Sequence, residues 1–307
     1  MQVFRDIEAA REFLANGSVV TIGNYDGIHL GHQTIIRETV ERAHAAGLKS
    51  ALVTFDPHPH SVLVPSHAPK LLTTTDEKIA LLSAMTKLDA VVILHFDPML
   101  AQVSAAEFLE EYLLGGLSCL ILVIGYNHAF GHNREGNIAF LRRMAPRRRF
   151  QLVTLDPILF AGAPVNSSRV RETMQHGDYT DALRMLGHEF TLSGRVVRGK
   201  GIGRSLGFPT INVKIGGAKI IPPAGVYAAY TLIRSEKRFG MMYIGENAQD
   251  FDFEVNLFDY SGDLYGSEVT VIPTAFIRRA IRFEQESDLV RQIGEDEKTI
   301  RMLDNRV

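Results

Sequence analysis

Gly23-Asn24-Tyr25-Asp26-Gly27-Ile28-His29-Leu30-Gly31-His32 is the stretch on which the reading of the fold turns. Ahead of it, Ser18-Val19-Val20-Thr21-Ile22 is short and β-branched, which predicts a buried strand over 19–23. Behind it, residues 33–46 carry Ile36, Val40 and Ala43 at helical spacing, and Gly47 is a C-terminal stop. The three segments predict a strand–turn–helix corner. Gly23, Gly27 and Gly31 allow a tight turn and a close approach of backbone to a ligand. His32 is expected in the first turn of the helix, where free N–H groups and the helix dipole favour an anion. His29 is expected in the turn before it. Two imidazoles beside a helix N-terminus suit a phosphate chain that gains negative charge as a bond breaks.

The 307 residues are enough for two cores, with 46% hydrophobic and 22% charged residues. A formal net charge of −2 gives no electrostatic reason to expect nucleic acid or an anionic membrane as partner. The single cysteine, Cys119, excludes a disulfide framework and sits in an apolar run, as a buried inert thiol does. There is no signal-peptide pattern at Met1-Gln2-Val3-Phe4-Arg5-Asp6 and no apolar run long enough to span a bilayer, which points to the cytoplasm.

In the first half, compact apolar runs at 19–23, 51–55, 90–94, 120–124 and 152–155 are separated mostly by helical patterns. Such alternation predicts a parallel sheet covered on both faces, with ligands at the carboxyl ends of its strands. The candidate motifs fall at those ends. Strand one enters the histidine stretch, strand two enters Thr54-Phe55-Asp56-Pro57-His58-Pro59, and strand four enters Gly125-Tyr126-Asn127-His128-Ala129-Phe130-Gly131. Two prolines stiffen the second loop, so it presents Asp56 and His58. The histidines 58, 60, 67 and 95 lack carboxylate or cysteine partners at a metal-site spacing, so a metal cluster is rejected. Thr74-Thr75-Asp76-Glu77 reads as a capping box with a structural role. Residues 104–114 read as a helix with Glu110 and Glu111 solvated, and the arginines 142, 143, 147, 148 and 149 as a solvated helix end. Val165-Asn166-Ser167-Ser168-Arg169-Val170-Arg171 offers hydroxyls and a guanidinium at a helix start, a second anion site. The helices that follow end at Gly187.

From Phe190 the texture changes. Short runs at 191–197, 210–213, 226–233, 239–244, 253–257 and 269–272 predict a small antiparallel barrel, closed by a helix over about 284–303. Gly199-Lys200-Gly201-Ile202-Gly203 is neither a dinucleotide fingerprint, since no βαβ unit follows, nor a Walker A loop, since its lysine precedes the glycines. In Phe208-Pro209-Thr210-Ile211-Asn212, Thr210 and Asn212 are two apart on a predicted strand and share a face, which suits Mg²⁺ beside ATP phosphates.

His29-Leu30-Gly31-His32 resembles the H-x-G-H signature of nucleotidyltransferases. With Gly23, Asn24, Asp26 and Gly27 it resembles the adenylyltransferase half of prokaryotic bifunctional riboflavin kinase/FAD synthetases. Gly125–Gly131 resembles that family's G-x-[D/N]-F-x-F-G, with His128 where an aromatic is usual, and 166–171 its S-S-T-R-I-R. Leu206-Gly207-Phe208-Pro209-Thr210-Ile211-Asn212 resembles the riboflavin kinase signature L-G-F-P-T-A-N, and Asp263-Leu264-Tyr265-Gly266 its D-L-Y-G. The resemblance covers nearly the whole chain. It implies a Rossmann-like nucleotidyltransferase α/β/α domain over 1–187 and a riboflavin kinase-like six-stranded antiparallel barrel with a terminal helix over 188–307. It implies phosphorylation of riboflavin to FMN and adenylylation of FMN to FAD with release of pyrophosphate, ATP being co-substrate and Mg²⁺ the metal. Carried over residue by residue, His29, His32 and Arg169 act in adenylyl transfer, and Glu254 is the general base on the flavin 5′-hydroxyl. Gly23, Asn24, Tyr25, Asp26, Gly27, Gly31, Asn127, Ser167, Ser168, Gly203 and Gly207 hold ATP or its phosphates. Asp56, His58 and Arg278 face the flavin, and Thr210 and Asn212 hold the metal. Two segments depart from the pattern: 245–250 replace G-x-x-P-T, and Arg278-Arg279-Ala280 replaces R-D-E. Both help close the flavin pocket in the family, so a barrel that binds flavin without phosphorylating it is the alternative.

Overall fold

The computed structural model describes every residue except 200, 217, 235, 247–251 and 305–307. The chain divides into two compact units, Met1–Ser167 and Ser168–Val307.

The strands of the first unit are β1 (Gln2–Phe4), β2 (Ser18–Ile22), β3 (Lys49–Asp56), β4 (Ala90–His95), β5 (Cys119–Gly125), the two-residue β6 (Ala129–Phe130) and β7 (Gly136–Asn137), β8 (Gln151–Leu155), and the short β9 (Leu159–Phe160) and β10 (Ala163–Pro164). Six of them form a parallel sheet in the order β1-β4-β3-β2-β5-β8, while β6 pairs with β7 and β9 with β10. The helices are α1 (Ile7–Phe13), α2 (Leu30–Ala46), α3 (Pro59–Leu63), α4 (Thr75–Met85), α5 (Ala105–Glu107) and α6 (Ile138–Arg148). Successive strand residues feed opposite faces. Ala51 and Val53 pack with Leu109 and Phe108 on one face, whereas Leu52 packs with Ile36 of α2 and Leu82 of α4 on the other. Burial on both faces is why these strands read as unbroken apolar runs.

Some elements differ from the sequence reading. Strand β1 was not expected; three residues paired only with β4 are too short to show a period. Past α5 the chain winds as a π-helix, Phe108–Gly116, where an α-helix was expected. There Gly116 packs so closely on Ile7 that a Cβ would stand 2.4 Å from its Cγ2. Glu110, expected in solvent, pairs with Arg148. Cys119 is buried, and burial pushes its thiol up to about 12.

In the second unit α7 (Ser167–His176) and α8 (Tyr179–Leu186) lead into β11 (Leu192–Val197), α9 (Ile202–Ser205), β12 (Ile211–Lys214), β13 (Gly225–Ile233), β14 (Glu236–Ile244), β15 (Phe253–Leu257), β16 (Glu268–Arg279) and α10 (Glu286–Asp304). The six strands close a barrel in the order β11-β12-β15-β14-β13-β16, with every pair antiparallel. On β13 the alternation sorts the two faces. Val226 and Ala228 pack outward with Met241 and with Ile300 of α10, and the intervening Tyr227 faces the other way, against Tyr179 and Phe276. Strand β16 runs well beyond the expected 269–272, and its extra residues pair with β13.

Candidate active sites

Strand β2 passes the chain to Gly23, whose N–H bonds the Val53 carbonyl at 3.1 Å. The loop then takes positive φ at Tyr25 (48°), Gly27 (85°) and Ile28 (38°). At the two non-glycine positions this conformation costs about 1–3 kcal/mol and persists because the surroundings hold it. The Tyr25 ring is buried with its hydroxyl on Thr21 Oγ1, and Ile28 packs with Ile36, Leu52 and Leu82. Asp26 is 2% exposed. Its carboxylate accepts the N–H of Thr73 at 2.9 Å and of Leu72 at 3.1 Å, while the Gly27 N–H donates to Thr73 Oγ1 at 3.0 Å. Tyr25 and Asp26, expected at the phosphates of ATP, therefore turn inward. These side-chain bonds hold the shape of the loop.

His29 caps α2: its Nδ1 accepts the His32 N–H at 3.4 Å. The helix thus begins at Leu30 with His32 in its first turn, as expected, and an imidazole serves as the capping acceptor. The two rings stack with centroids 3.6 Å apart, and the Tyr25 ring lies 4.9 Å from that of His32. Burial, then the charges of His29 and Lys78, hold His32 well below the ordinary imidazole range. Its Nδ1 is buried with no hydrogen-bond partner among the described residues. A Cβ on Gly31 would come within 3.2 Å of the His29 ring and 3.5 Å of the Val165 carbonyl, so the segment before α7 lies against this loop. Ser167 Oγ donates to the Asp26 carbonyl at 2.9 Å. Ser167 is thereby joined to the histidine loop, and the exposed Ser168 and half-buried Arg169 continue α7 from it.

The loop after β3 also reaches this place. The Asn24 side chain is exposed, with Nδ2 3.3 Å from His58 Nε2. His58 caps α3 through Nδ1, and Asp56 is half-buried at the end of β3. Asn127 stands apart: it is exposed in the turn after β5 and makes no hydrogen bond among the described residues. Its neighbour His128 is half-buried, its buried Nε2 has no hydrogen-bond partner among the described residues, and desolvation with the nearby Arg134 brings it down to about 4.

Sequence reasoning missed Lys78. It directly follows the capping box, whose reciprocal bonds between Thr74 and Glu77 are present. Only 6% exposed, it donates from Nζ to the Asn24 carbonyl at 2.7 Å and to Thr54 Oγ1 at 2.9 Å. Burial pushes it down to about 8 against the opposing pull of Asp26 and Asp56. A lysine at an internal position of an otherwise apolar α4 stripe was the available signal.

In the barrel, strand register builds the second site. Asn212 pairs with Glu254, Glu254 with Tyr243, Tyr243 with Val226 and Val226 with Arg278. Directly opposed residues project to one side, here the outer side that Val226 shares with α10. Thr210 precedes β12 rather than lying within it, because the ladder to β15 begins with Ile211 opposite Val255. Its Oγ1 donates to Glu254 Oε2 at 2.9 Å, and Asn256 Nδ2 donates to the Pro209 carbonyl at 2.7 Å. Asn212 is 6% exposed beneath Gly199, where any Cβ would stand 2.3 Å from its amide nitrogen. Gly203 is packed similarly, 2.5 Å from the Phe208 carbonyl by the same measure, and Gly207 takes a φ of 84°. Arg278, expected at the flavin, grips Asp296 of α10 with contacts of 2.6, 2.9 and 3.0 Å. Its guanidinium fastens the terminal helix to β16. Of the unusual 245–250 segment, residues 247–250 lie outside the described residues; Glu246 pairs with Arg282.

Comparison with known proteins covers both units. The family model described as FAD synthetase matches residues 12–169, and that described as riboflavin kinase matches residues 186–303. A bifunctional riboflavin kinase/FMN adenylyltransferase of Haemophilus influenzae is 34% identical, over 99% of this chain and 100% of that protein. One of Escherichia coli K12 is 32% identical over 98% and 97%. A solved chain described as a macrolide-efflux protein from Streptococcus pneumoniae is 27% identical with a TM-score of 0.82, covering 93% of this chain and 94% of that one. Among the described residues no helix is long and apolar enough to cross a membrane.

Proposed function

The chain belongs to the bifunctional riboflavin kinase/FMN adenylyltransferase family, and from that premise we propose that it makes FMN and then FAD at two separate sites. The barrel phosphorylates riboflavin with ATP. The first unit joins FMN to AMP and releases pyrophosphate. We assign adenylyl transfer to residues 1–187 and phosphorylation to 188–307. ATP as co-substrate and a single cysteine support a cytoplasmic setting.

The observation that carries the first reaction is the Ser167–Asp26 bond, which joins Ser167, the last residue of the first unit, to the capped histidine loop. An oxygen of the FMN phosphate attacks the α-phosphorus of ATP, and the bond to the pyrophosphate oxygen breaks. Charge grows on the pyrophosphate as it leaves. His29, His32, Ser167, Ser168 and Arg169, with the free amides of the α2 N-terminus, supply donors for that charge. The reaction is a direct displacement, accelerated by positioning and charge stabilisation. The loop with Asp56 and His58 lines the FMN side, and the outward Asn24 stands with the triphosphate.

For the second reaction the supporting observation is the row Asn212–Glu254–Tyr243 with Thr210 on Glu254. Glu254 takes the proton of the flavin 5′-hydroxyl as that oxygen attacks the γ-phosphorus and ADP departs. The donor set fits Mg²⁺. Thr210 and Asn212 are neutral hard-oxygen ligands, and no group of three His, Cys, Asp or Glu suited to a metal occurs among the described residues. Thr210 and Asn212 would hold such a cation, which would neutralise charge on the ATP phosphates.

Product chromatography tests both steps. Riboflavin with ATP and Mg²⁺ gives FMN and then FAD; FMN alone with ATP gives FAD. If riboflavin stays unconverted while FMN is adenylylated, the barrel is a flavin-binding module without kinase activity.

A further inference from the structure

Lys78 lies outside every motif assigned above, yet it is a buried cation bonded to the histidine loop. Its ammonium has three protons to donate. Two go to the Asn24 carbonyl at 2.7 Å and to Thr54 Oγ1 at 2.9 Å, and Thr54 Oγ1 donates in turn to the same carbonyl at 3.1 Å. These bonds close a triangle between α4, the end of β3 and the second residue of the histidine loop. A second tie runs parallel: Asp26 binds the N–H groups of Leu72 and Thr73, just ahead of the α4 cap at Thr74. The helix that carries Lys78 is therefore clamped to the loop at both ends of one short circuit. An alkyl side chain of the same length would fill the space but leave the Asn24 carbonyl with Thr54 alone.

We propose that Lys78 is a positioning residue for adenylyl transfer, its ammonium fixing the Asn24 backbone and thereby the entry of the histidine loop. This rests on the reading of the first unit as the adenylyl-transfer site. The charge also acts on His32 without touching it. The groups that face His32 are His29 of the loop, the neutral Tyr25 ring and Lys78 of α4. Burial, the His29 ring and the Lys78 ammonium all disfavour its protonation, so the His32 ring is uncharged in the resting protein. Lys78 itself is faced by Asp26 of the loop and Asp56 of β3, while Glu77 on its own helix is engaged with the Thr74 N–H. Held near 8, Lys78 gives up its proton at mildly alkaline pH, and with it the charge that holds the Asn24 carbonyl tightly and acts on His32.

Two variants and two readouts decide the matter. In Lys78→Met, kcat for FAD from FMN and ATP falls about 100-fold, the cost of a misplacement of roughly 1 Å, while riboflavin phosphorylation stays within about twofold. NMR titration of the His32 ring in the resting protein shows its midpoint rising. In Lys78→Arg the guanidinium keeps its proton, so the loss of FAD formation through pH 8 expected of the parent protein disappears and the His32 midpoint stays low. An unchanged kcat with an unmoved His32 titration in Lys78→Met overturns the proposal. So does a decline through pH 8 that survives in Lys78→Arg. If the parent protein makes no FAD, the functional reading fails, and the His32 titration still reports whether Lys78 governs that ring.

Discussion

The two units hold their reactive groups by different means. In the first, the groups are sunk into the protein. Asp26, His29 and Lys78 are 2%, 4% and 6% exposed, and side chains bonded to backbone amides and carbonyls fix the loop. In the barrel, Thr210, Glu254 and Tyr243 are partly or well exposed, and the strand register sets them abreast. Burial makes charges interact strongly, so the first site is tuned by its own lysine and histidines. A backbone ladder positions side chains without reference to their charge. The first site should therefore be sensitive to the loss of any one internal partner, and the second to the loss of the reacting group itself.

Substitutions can break or sharpen this contrast. The largest effect is expected for His29→Ala combined with His32→Ala, which removes the helix cap and both imidazoles. FAD formation from FMN and ATP should fall by about 10⁴-fold, since a single preorganised donor is worth about 10²–10³, and FMN formation should persist. Retained adenylylation would sink the assignment. Next, Glu254→Gln should lower riboflavin phosphorylation about 10³-fold by removing the proton acceptor, with adenylylation of supplied FMN intact. Loss of both activities would show that the sites are not independent. Third, Asp296→Ala leaves the half-buried Arg278 guanidinium without its carboxylate. Breaking such a pair costs about 3 kcal/mol, read as a lower denaturation midpoint of the second unit, with the first unit unaffected. The smallest effect is expected for Ser167→Ala. One hydrogen bond worth about 1 kcal/mol disappears, and FAD formation should drop about tenfold through KM for ATP more than through stability.

Much of this was legible in residue order. The parallel sheet showed itself because strands buried on both faces are apolar throughout, and the barrel because Gly and Pro punctuate short alternating runs. Gly23, His29, Ser167 and Thr210 could be singled out because phosphate chemistry uses few residue types at narrow spacings, whereas Glu254 came from the family resemblance. Tyr25, Asp26 and Arg278 were placed at ligands on the same reasoning, and the fold turned them elsewhere. A motif records which residues are required, and it does not distinguish a group that touches the ligand from one that holds the loop that does. Asp26 and Leu72 are 46 residues apart in the chain, and Arg278 and Asp296 meet only when the last helix docks.

The order of amino acids by itself determined two folds, the strand ends that carry the candidate sites and the hydroxyls and imidazoles gathered there, because side-chain periodicity and turn chemistry act over a few residues. Only the tertiary structure decided which polar groups face inward, that His29 caps its helix, and that Lys78 lies buried beneath Asn24. Those outcomes depend on contacts between segments distant in the chain, where burial raises the cost of any unpaired charge and so selects a single arrangement.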